Sequence, residues 1–212
     1  MRLFIAVAGN MGVGKSTLTK RLAKTLGAMP FLEPSVENPY LADFYQDMNR
    51  WAFHSQMYFL GRRLKDHATV VASEGVLIQD RSLYENAEIF ARHLYERGAI
   101  SARDWATYQE IYQTAIGLLR PPDLVIYLHA SVPTLVERIQ ERGRTFEQTI
   151  DLDYLHGLNR LYEQWSHEFQ QAPVLTIPTE EVRYLHDEKQ YEQVLDLMKE
   201  RLGGLPVQLV TA

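Results

Sequence analysis

The 212-residue chain contains no cysteine. That excludes disulfides, thiolate-ligated metal centres and a cysteine nucleophile together. It also lacks any apolar run near the roughly 20 residues needed to span a bilayer. The stretch 1–8 carries one basic residue and a short apolar segment that Gly9 ends. It is too short for the apolar core of a secretory signal, so the expected location is cytoplasmic, with no membrane partner. Basic charge is not in excess either: 22 Lys and Arg stand against 27 Asp and Glu, a formal net charge of −5. Sequence-independent binding to nucleic acid needs many cations on one face, so no nucleic-acid partner is expected. Repeats, low-complexity segments and linkers are missing as well. With 46% apolar and 23% charged residues, the chain has enough for one packed core, and a single domain spanning 1–212 is expected.

Short, uniformly apolar segments alternate with longer helical patterns. Residues 3–8 are apolar on both parities and run into a glycine turn, which reads as a buried parallel strand. Residues 16–26 place Leu18, Leu22 and Leu26 on one helical face, with Gly27 as the stop. A short strand around Phe31 and Leu32 ends at Glu33-Pro34, and a long aromatic-rich helical region covers 41–71. A strand at 76–79 ends at Asp80-Arg81, and helices follow at 84–96 and 102–119, parted by Gly98. After Pro121-Pro122 come a strand at 124–128, helices at 132–140 and 152–169, a strand at 174–177 and a helix at 188–202. Five strands alternating with helices predict an α/β fold, a parallel sheet covered on both faces.

The sharpest motif is Gly9-Asn10-Met11-Gly12-Val13-Gly14-Lys15-Ser16, followed by Thr17. It matches the phosphate-binding loop pattern of Gly, four residues, Gly, Lys, Ser or Thr, and it lies between a strand and a helix, where the mechanism needs it. Glycines let the backbone curl so that its N–H groups point at phosphates, and the helix behind adds its positive end. Lys15 is expected to reach the β- and γ-phosphates of ATP, and the Ser16 hydroxyl to ligate Mg²⁺. A chance match in a chain this long is on the order of one in a hundred, so the loop is read as a nucleotide site. A guanine-reading Asn-Lys-x-Asp and an Asp-x-x-Gly switch are both missing, which argues against a GTPase.

Charged residues then cluster at strand ends, the edge where open α/β sheets bind ligands. Glu33 is expected at the end of the second strand, beside the phosphate-loop strand. There it would accept a proton from a hydroxyl acceptor; the plainer alternative is a carboxylate at a helix N-terminus or on the surface. Asp80 follows the third strand and would hold Mg²⁺ directly or through water, with Arg81 on the base or on the transferred phosphoryl group. The alternative for the pair is a capping Asp beside an Arg. Arg138 and Arg142 share a helical face, and Arg144 lies past Gly143, a helix stop. Like charges at that spacing repel, so the cluster suits a lid over a triphosphate, about 138–148; Glu137 and Glu141 leave a solvated ion-paired face as the alternative. Trp51, Phe53, Tyr58 and Phe59 read as core rather than ligand platform. His54, His67 and His93 show no metal-ligand spacing.

Taken in order, these residues resemble the deoxyribonucleoside kinase family, in its bacterial deoxyadenosine/deoxyguanosine branch. The resemblance rests on Gly14-Lys15-Ser16, Glu33-Pro34, Asn38-Pro39-Tyr40-Leu41, Arg50-Trp51 with Gln56, Asp80-Arg81-Ser82 with Tyr84-Glu85, and Arg138 to Arg144 with Glu147. It implies a P-loop kinase fold that phosphorylates the 5′-hydroxyl of a purine deoxyribonucleoside for nucleotide salvage, deoxyadenosine favoured over deoxyguanosine or deoxycytidine. In that resemblance Glu33 is the general base, Arg81 contacts both acceptor and phosphates, and Asp80 belongs to the Mg²⁺ shell. Tyr45 and Glu147 would bind the sugar 3′-hydroxyl, Gln56 the base edge, and Phe90 would stack on the base. Arg63 matches a base-edge arginine whose usual aspartate partner is replaced by Asn86, so Arg63 is expected to be freer to face an acceptor such as guanine O6. Ser55 stands where some relatives carry an aromatic, leaving a roomier slot. A homodimer through the 41–71 and 84–119 regions is also implied. Two rivals remain at this point, a nucleoside-monophosphate kinase of thymidylate-kinase type and a nucleotide-binding switch without an acceptor. A phosphate acceptor would want cations where Glu33 and Glu147 stand.

Overall fold

The computed structural model describes residues 2–32, 37–144, 150–182, 184 and 187–203. Its centre is an all-parallel sheet of five strands, β1 (Arg2–Gly9), β2 (Met29–Phe31), β3 (Gly75–Asp80), β4 (Leu124–His129) and β5 (Val174–Pro178), in the order β2-β3-β1-β4-β5. Residues 3–8 of β1 are each 2% exposed or less, because both faces of the central strand are covered by helices. The helices are α1 (Lys15–Leu26), α2 (Leu41–Gln46), α3 (Met48–Ala72), α4 (Leu83–Glu85), α5 (Arg92–Glu96), α6 (Ala102–Leu118), α7 (Val132–Arg142), α8 (Leu152–Glu168) and α9 (Glu188–Arg201).

The strand order departs from expectation. β2 does not lie beside β1; β3 stands between them, with Phe31 opposite Gln79 and Val7 opposite Asp80. Composition explains the placement. β3 carries Leu77 and Ile78, both buried, and can be flanked on both sides. β2 is three residues long, leaves Met29 half exposed and contains Pro30, which has no N–H to give to a second neighbour, so it suits the edge. The segment that follows β2 therefore starts two strands away from the phosphate-loop strand.

Two helices expected to be continuous are interrupted. The 41–71 region breaks at Asp47, whose non-helical backbone (φ −143°, ψ 87°) ends α2 and whose side chain caps α3 by accepting from the Arg50 N–H at 3.0 Å. The 84–96 region starts with a capping box between Ser82 and Glu85, then widens into a π-helical turn over Asn86–Ala91 before α5. Gly143 closes α7 in the left-handed conformation, φ 67°. The tail beyond residue 203 and the stretch 145–149 lie outside the described residues.

Candidate active site

The C-terminal end of β1 opens directly into the phosphate loop. Gly9 and Gly12 adopt φ of 142° and 81°, where a side chain is strained. A Cβ on Gly9 would stand 2.6 Å from the Leu128 carbonyl oxygen, and one on Gly12 2.9 Å from that of Leu135. The loop is braced from outside as well. Asn10 donates to the Leu155 carbonyl and to Asn159 Oδ1, both at 3.3 Å, which ties it to α8, and Lys15 Nζ folds across it to the Asn10 carbonyl at 2.9 Å. Gly14, at the N-cap of α1, has no side chain to occupy the amides of the first turn.

Ser16 Oγ donates to Asp80 Oδ2. Asp80 is fully buried, and its Oδ1 has no hydrogen-bond partner. A buried carboxylate oxygen left unsatisfied next to a loop hydroxyl suits a hard divalent cation with oxygen ligands, so this pair fits Mg²⁺. Arg81 follows in the left-handed region, φ 66°, the only non-glycine there among the described residues. Its N–H reaches the Val7 carbonyl at 3.0 Å, and its guanidinium lies 4.1 Å from the Phe90 ring centroid.

One cavity of about 270 Å³ joins these groups. Gly12, Gly14, Lys15, Ser16 and Thr17 line its phosphate end, with Arg138, Arg142 and Arg144 beside them. Tyr45, Gln56, Arg81 and Phe90 also line it. Tyr45 Oη donates to Met11 Sδ at 3.4 Å. Gln56 is buried, and its Oε1 has no hydrogen-bond partner. Ser55 lines the cavity too, but its hydroxyl is engaged, accepting from Asn38 Nδ2 at 3.1 Å.

Several expectations need correction. Arg138 and Arg142 sit together on α7, and Arg138 is tethered to Thr179 at 2.8 Å (Oγ1) and 3.2 Å (carbonyl) and to the Val13 carbonyl at 3.5 Å. The helix runs two residues beyond its apolar pattern over 132–140, up to Gly143, the stop already marked in the sequence. Arg63 and Asn86 do meet, Nε to Oδ1 at 3.4 Å, but neither lines the cavity. Arg63 also keeps a carboxylate, since Asp66 lies one helical turn on at 3.9 Å. The replacement by Asn86 therefore does not release its charge. Phe59, read as core, is buried and also lines the cavity. Glu33 and Glu147 lie outside the described residues.

Reasoning from the sequence missed Tyr154, Phe44 and Leu41 on the cavity wall. Burial raises the Tyr154 phenol above its ordinary range, against the opposing pull of Arg81 and Arg97. Its place in the first turn of α8 was the available signal. Among the described residues no cluster of three or more His, Asp or Glu side chains could hold a metal, and no helix is long and apolar enough to cross a membrane.

Comparison with known proteins agrees with this geometry. The profile of the family described as Deoxynucleoside kinase matches residues 5–202. The deoxyadenosine/deoxycytidine kinase of Bacillus subtilis is 40% identical over 196 residues, covering 91% of this chain and 89% of the relative. The deoxyguanosine kinase of the same organism is 32% identical, with 93% and 96% covered. Among solved structures, the deoxyadenosine kinase of M. mycoides with bound dATP superposes with a TM-score of 0.81 at 32% identity, covering 93% of this chain and 99% of that one. A phosphate loop, an Asp-Arg turn and arginines around one cavity thus occur on a chain that belongs to the deoxynucleoside kinase family, enzymes that phosphorylate deoxyribonucleosides.

Proposed function

We propose that this kinase transfers the γ-phosphoryl group of Mg·ATP to the 5′-hydroxyl of a purine deoxyribonucleoside, deoxyadenosine first. The observation that carries this reading is the continuity of one cavity from Lys15 and Ser16 to the buried amide of Gln56, whose Oε1 has no partner. An amide at that depth offers an acceptor and a donor side by side, which matches the amine and ring nitrogen of adenine. The names of the relatives, which cover deoxyadenosine, deoxycytidine and deoxyguanosine, support the acceptor class.

In this reading Ser16 and Asp80 would hold Mg²⁺, which would supply positive charge against the negative charge that develops on the phosphates. The amides of the phosphate loop and Lys15 bind the phosphates. Arg138, held in place by Thr179, faces them with Arg142 and Arg144 and stabilises the negative charge of the transition state. Glu33 would take the proton from the 5′-hydroxyl, a nucleophile whose own pKa is far above neutrality. Tyr45 and Glu147 would hold the sugar, Phe90 would stack on the base from the ring face not covered by Arg81, and Arg63 with Asn86 would bias the base edge from behind the wall. Leu118 is 80% exposed, and with Leu64, Ile111 and Ala115 it forms an apolar face across α3 and α6. That face supports a homodimer, which a monomeric mass in light scattering would refute; the cytoplasm is the location this reading assigns.

The direct test is a phosphoryl-transfer assay with Mg·ATP against the four deoxynucleosides and their monophosphates. A tenfold lead in kcat/KM for deoxyadenosine, about 1.4 kcal/mol, upholds the proposal. A lead for deoxyguanosine or deoxycytidine overturns the base assignment, and transfer only to a monophosphate overturns the hydroxyl acceptor.

A further inference from the structure

Two carboxylates are fully buried among the described residues, Asp80 and Glu85. Asp80 belongs with Ser16. Glu85 is not part of the cavity wall, yet each of its oxygens is hydrogen bonded on a different side. Oε1 accepts from the Gly9 N–H at 3.2 Å and from Tyr162 Oη at 2.9 Å. Oε2 accepts from the Ser82 N–H at 2.8 Å and from Ser82 Oγ at 3.1 Å. One side chain therefore links the end of β1, the turn after β3 and helix α8.

The attachment points matter. Gly9 is the first residue of the phosphate loop, and Ser82 ends the turn that contains Asp80 and Arg81. That turn is held in an unusual conformation, with Arg81 at positive φ. We propose that Glu85 is a positioning residue for phosphoryl transfer, its two oxygens keeping the phosphate loop and the Asp80-Arg81-Ser82 turn at a fixed separation. Small displacements of groups around a transferring phosphoryl are costly: a shift of about 1 Å can lower a rate roughly a hundredfold.

A carboxylate is required here, not merely a polar group. Two of the four donors are main-chain N–H groups, one on each oxygen, and neither can reverse its role. An amide would point its NH₂ at one of them and leave that N–H buried without an acceptor. Burial raises the Glu85 pKa, and the nearby Arg81 and Lys15 and the bonds from Ser82 and Tyr162 offset only part of that rise. A side chain present only for packing would not need two acceptor oxygens, each placed against a main-chain N–H.

The test uses Glu85→Gln, Tyr162→Phe and the double variant, assayed with Mg·ATP and the deoxynucleoside that the wild-type enzyme turns over fastest. Glu85→Gln is expected to lower kcat about ten- to a hundredfold while the deoxynucleoside KM stays within about threefold, because the base end of the cavity is untouched. Tyr162→Phe removes one donor and should lower kcat by about two- to tenfold. The double variant should be no slower than Glu85→Gln alone, since the tyrosine acts through the carboxylate. A kcat for folded Glu85→Gln within twofold of wild type overturns the proposal, as does a double variant in which the two losses multiply. A loss that merely follows a lowered melting temperature, and vanishes well below it, assigns Glu85 to stability alone and also overturns it. If Glu85→Gln does not fold, an unchanged kcat in Tyr162→Phe is sufficient to overturn it.

Discussion

Gly157 sits in the interior of α8, where replacement of glycine by alanine ordinarily stabilises a helix by roughly 1 kcal/mol. Here the opposite is expected. A Cβ at this position would fall inside the van der Waals envelope of His93 Cε1, 2.5 Å from Nε2 and 2.9 Å from Nδ1. The imidazole cannot easily yield, being buried and stacked on Tyr154 with centroids 5.2 Å apart. Overpacking a core site costs about 1–3 kcal/mol, and an overlap this deep lies at the upper end. After the helical gain is subtracted, Gly157→Ala should lose about 2 kcal/mol, a fall in Tm of roughly 4–8 °C for a chain of this size. Urea unfolding and thermal melts read this directly. Because Tyr154 lines the cavity, a displaced ring should also raise the deoxynucleoside KM. In a His93→Ala background the clash is gone, so Gly157→Ala should there stabilise by up to about 1 kcal/mol. A variant at least as stable as wild type refutes the reasoning, and an equal loss in both backgrounds shows that the ring is not the cause.

Three further outcomes are expected. Glu33→Gln should lower kcat by roughly 10²–10⁴ with little change in nucleotide binding, measured by steady-state kinetics and titration calorimetry; a near-normal kcat removes Glu33 as the base. Asn86→Asp would give the Arg63 Nε–H an ionised acceptor and should shift the kcat/KM ratio between deoxycytidine and the purine deoxynucleosides; an unchanged ratio takes the pair out of base selection. Burial and the Arg120 charge hold His67 below the usual histidine pKa, and its Nε2 accepts from the Arg120 N–H at 3.1 Å. Below pH 6.5 the unfolded chain therefore takes up a proton that the folded one refuses. Stability should fall as pH drops from 6.5 towards the folded-state pKa, with a slope of up to about 1.4 kcal/mol per unit that His67→Gln removes; a slope unchanged in that variant refutes the assignment.

What could be read from the sequence was what depends on neighbours along the chain. β1 and β4 announce themselves because they are apolar on both parities, and the phosphate loop because its eight residues carry a local mechanism. Strand order was not legible in the same way: that β3 separates β2 from β1 is a matter of pairing between segments more than forty residues apart, and only Pro30 hinted at an edge. The break at Asp47 did have a local signal, an aspartate able to cap the helix that follows, but it was masked by an aromatic pattern continuing on both sides. Tyr154 joins the cavity from a helix far along the chain. Glu85 reads as an ordinary first-turn carboxylate until its bond to Gly9, 76 residues away, is seen. Arg63 has a carboxylate beside it as well as Asn86 because Asp66, three residues on, lies on the same helical face.

The widened turn over Asn86–Ala91 bears on how the chain can vary in length. A π-helical turn accommodates one more residue than an α-helical turn over the same contour. Deleting a single residue within 86–91 would let the run from Leu83 to Glu96 close into regular α-helix without breaking the chain. Because the deletion removes only the turn's extra residue, the side chains beyond it would keep their phase about the helix axis. The side chains re-aimed are those inside the turn itself, among them Phe90 at the cavity and Glu88, which now accepts from Tyr112 and Trp165. Elsewhere in a helix the loss of one residue is a packing defect. At this turn the helix on either side stays in frame and only the wall of the base pocket changes, so insertions and deletions, as well as substitutions, are a route by which lineages of this fold can alter what the pocket accepts.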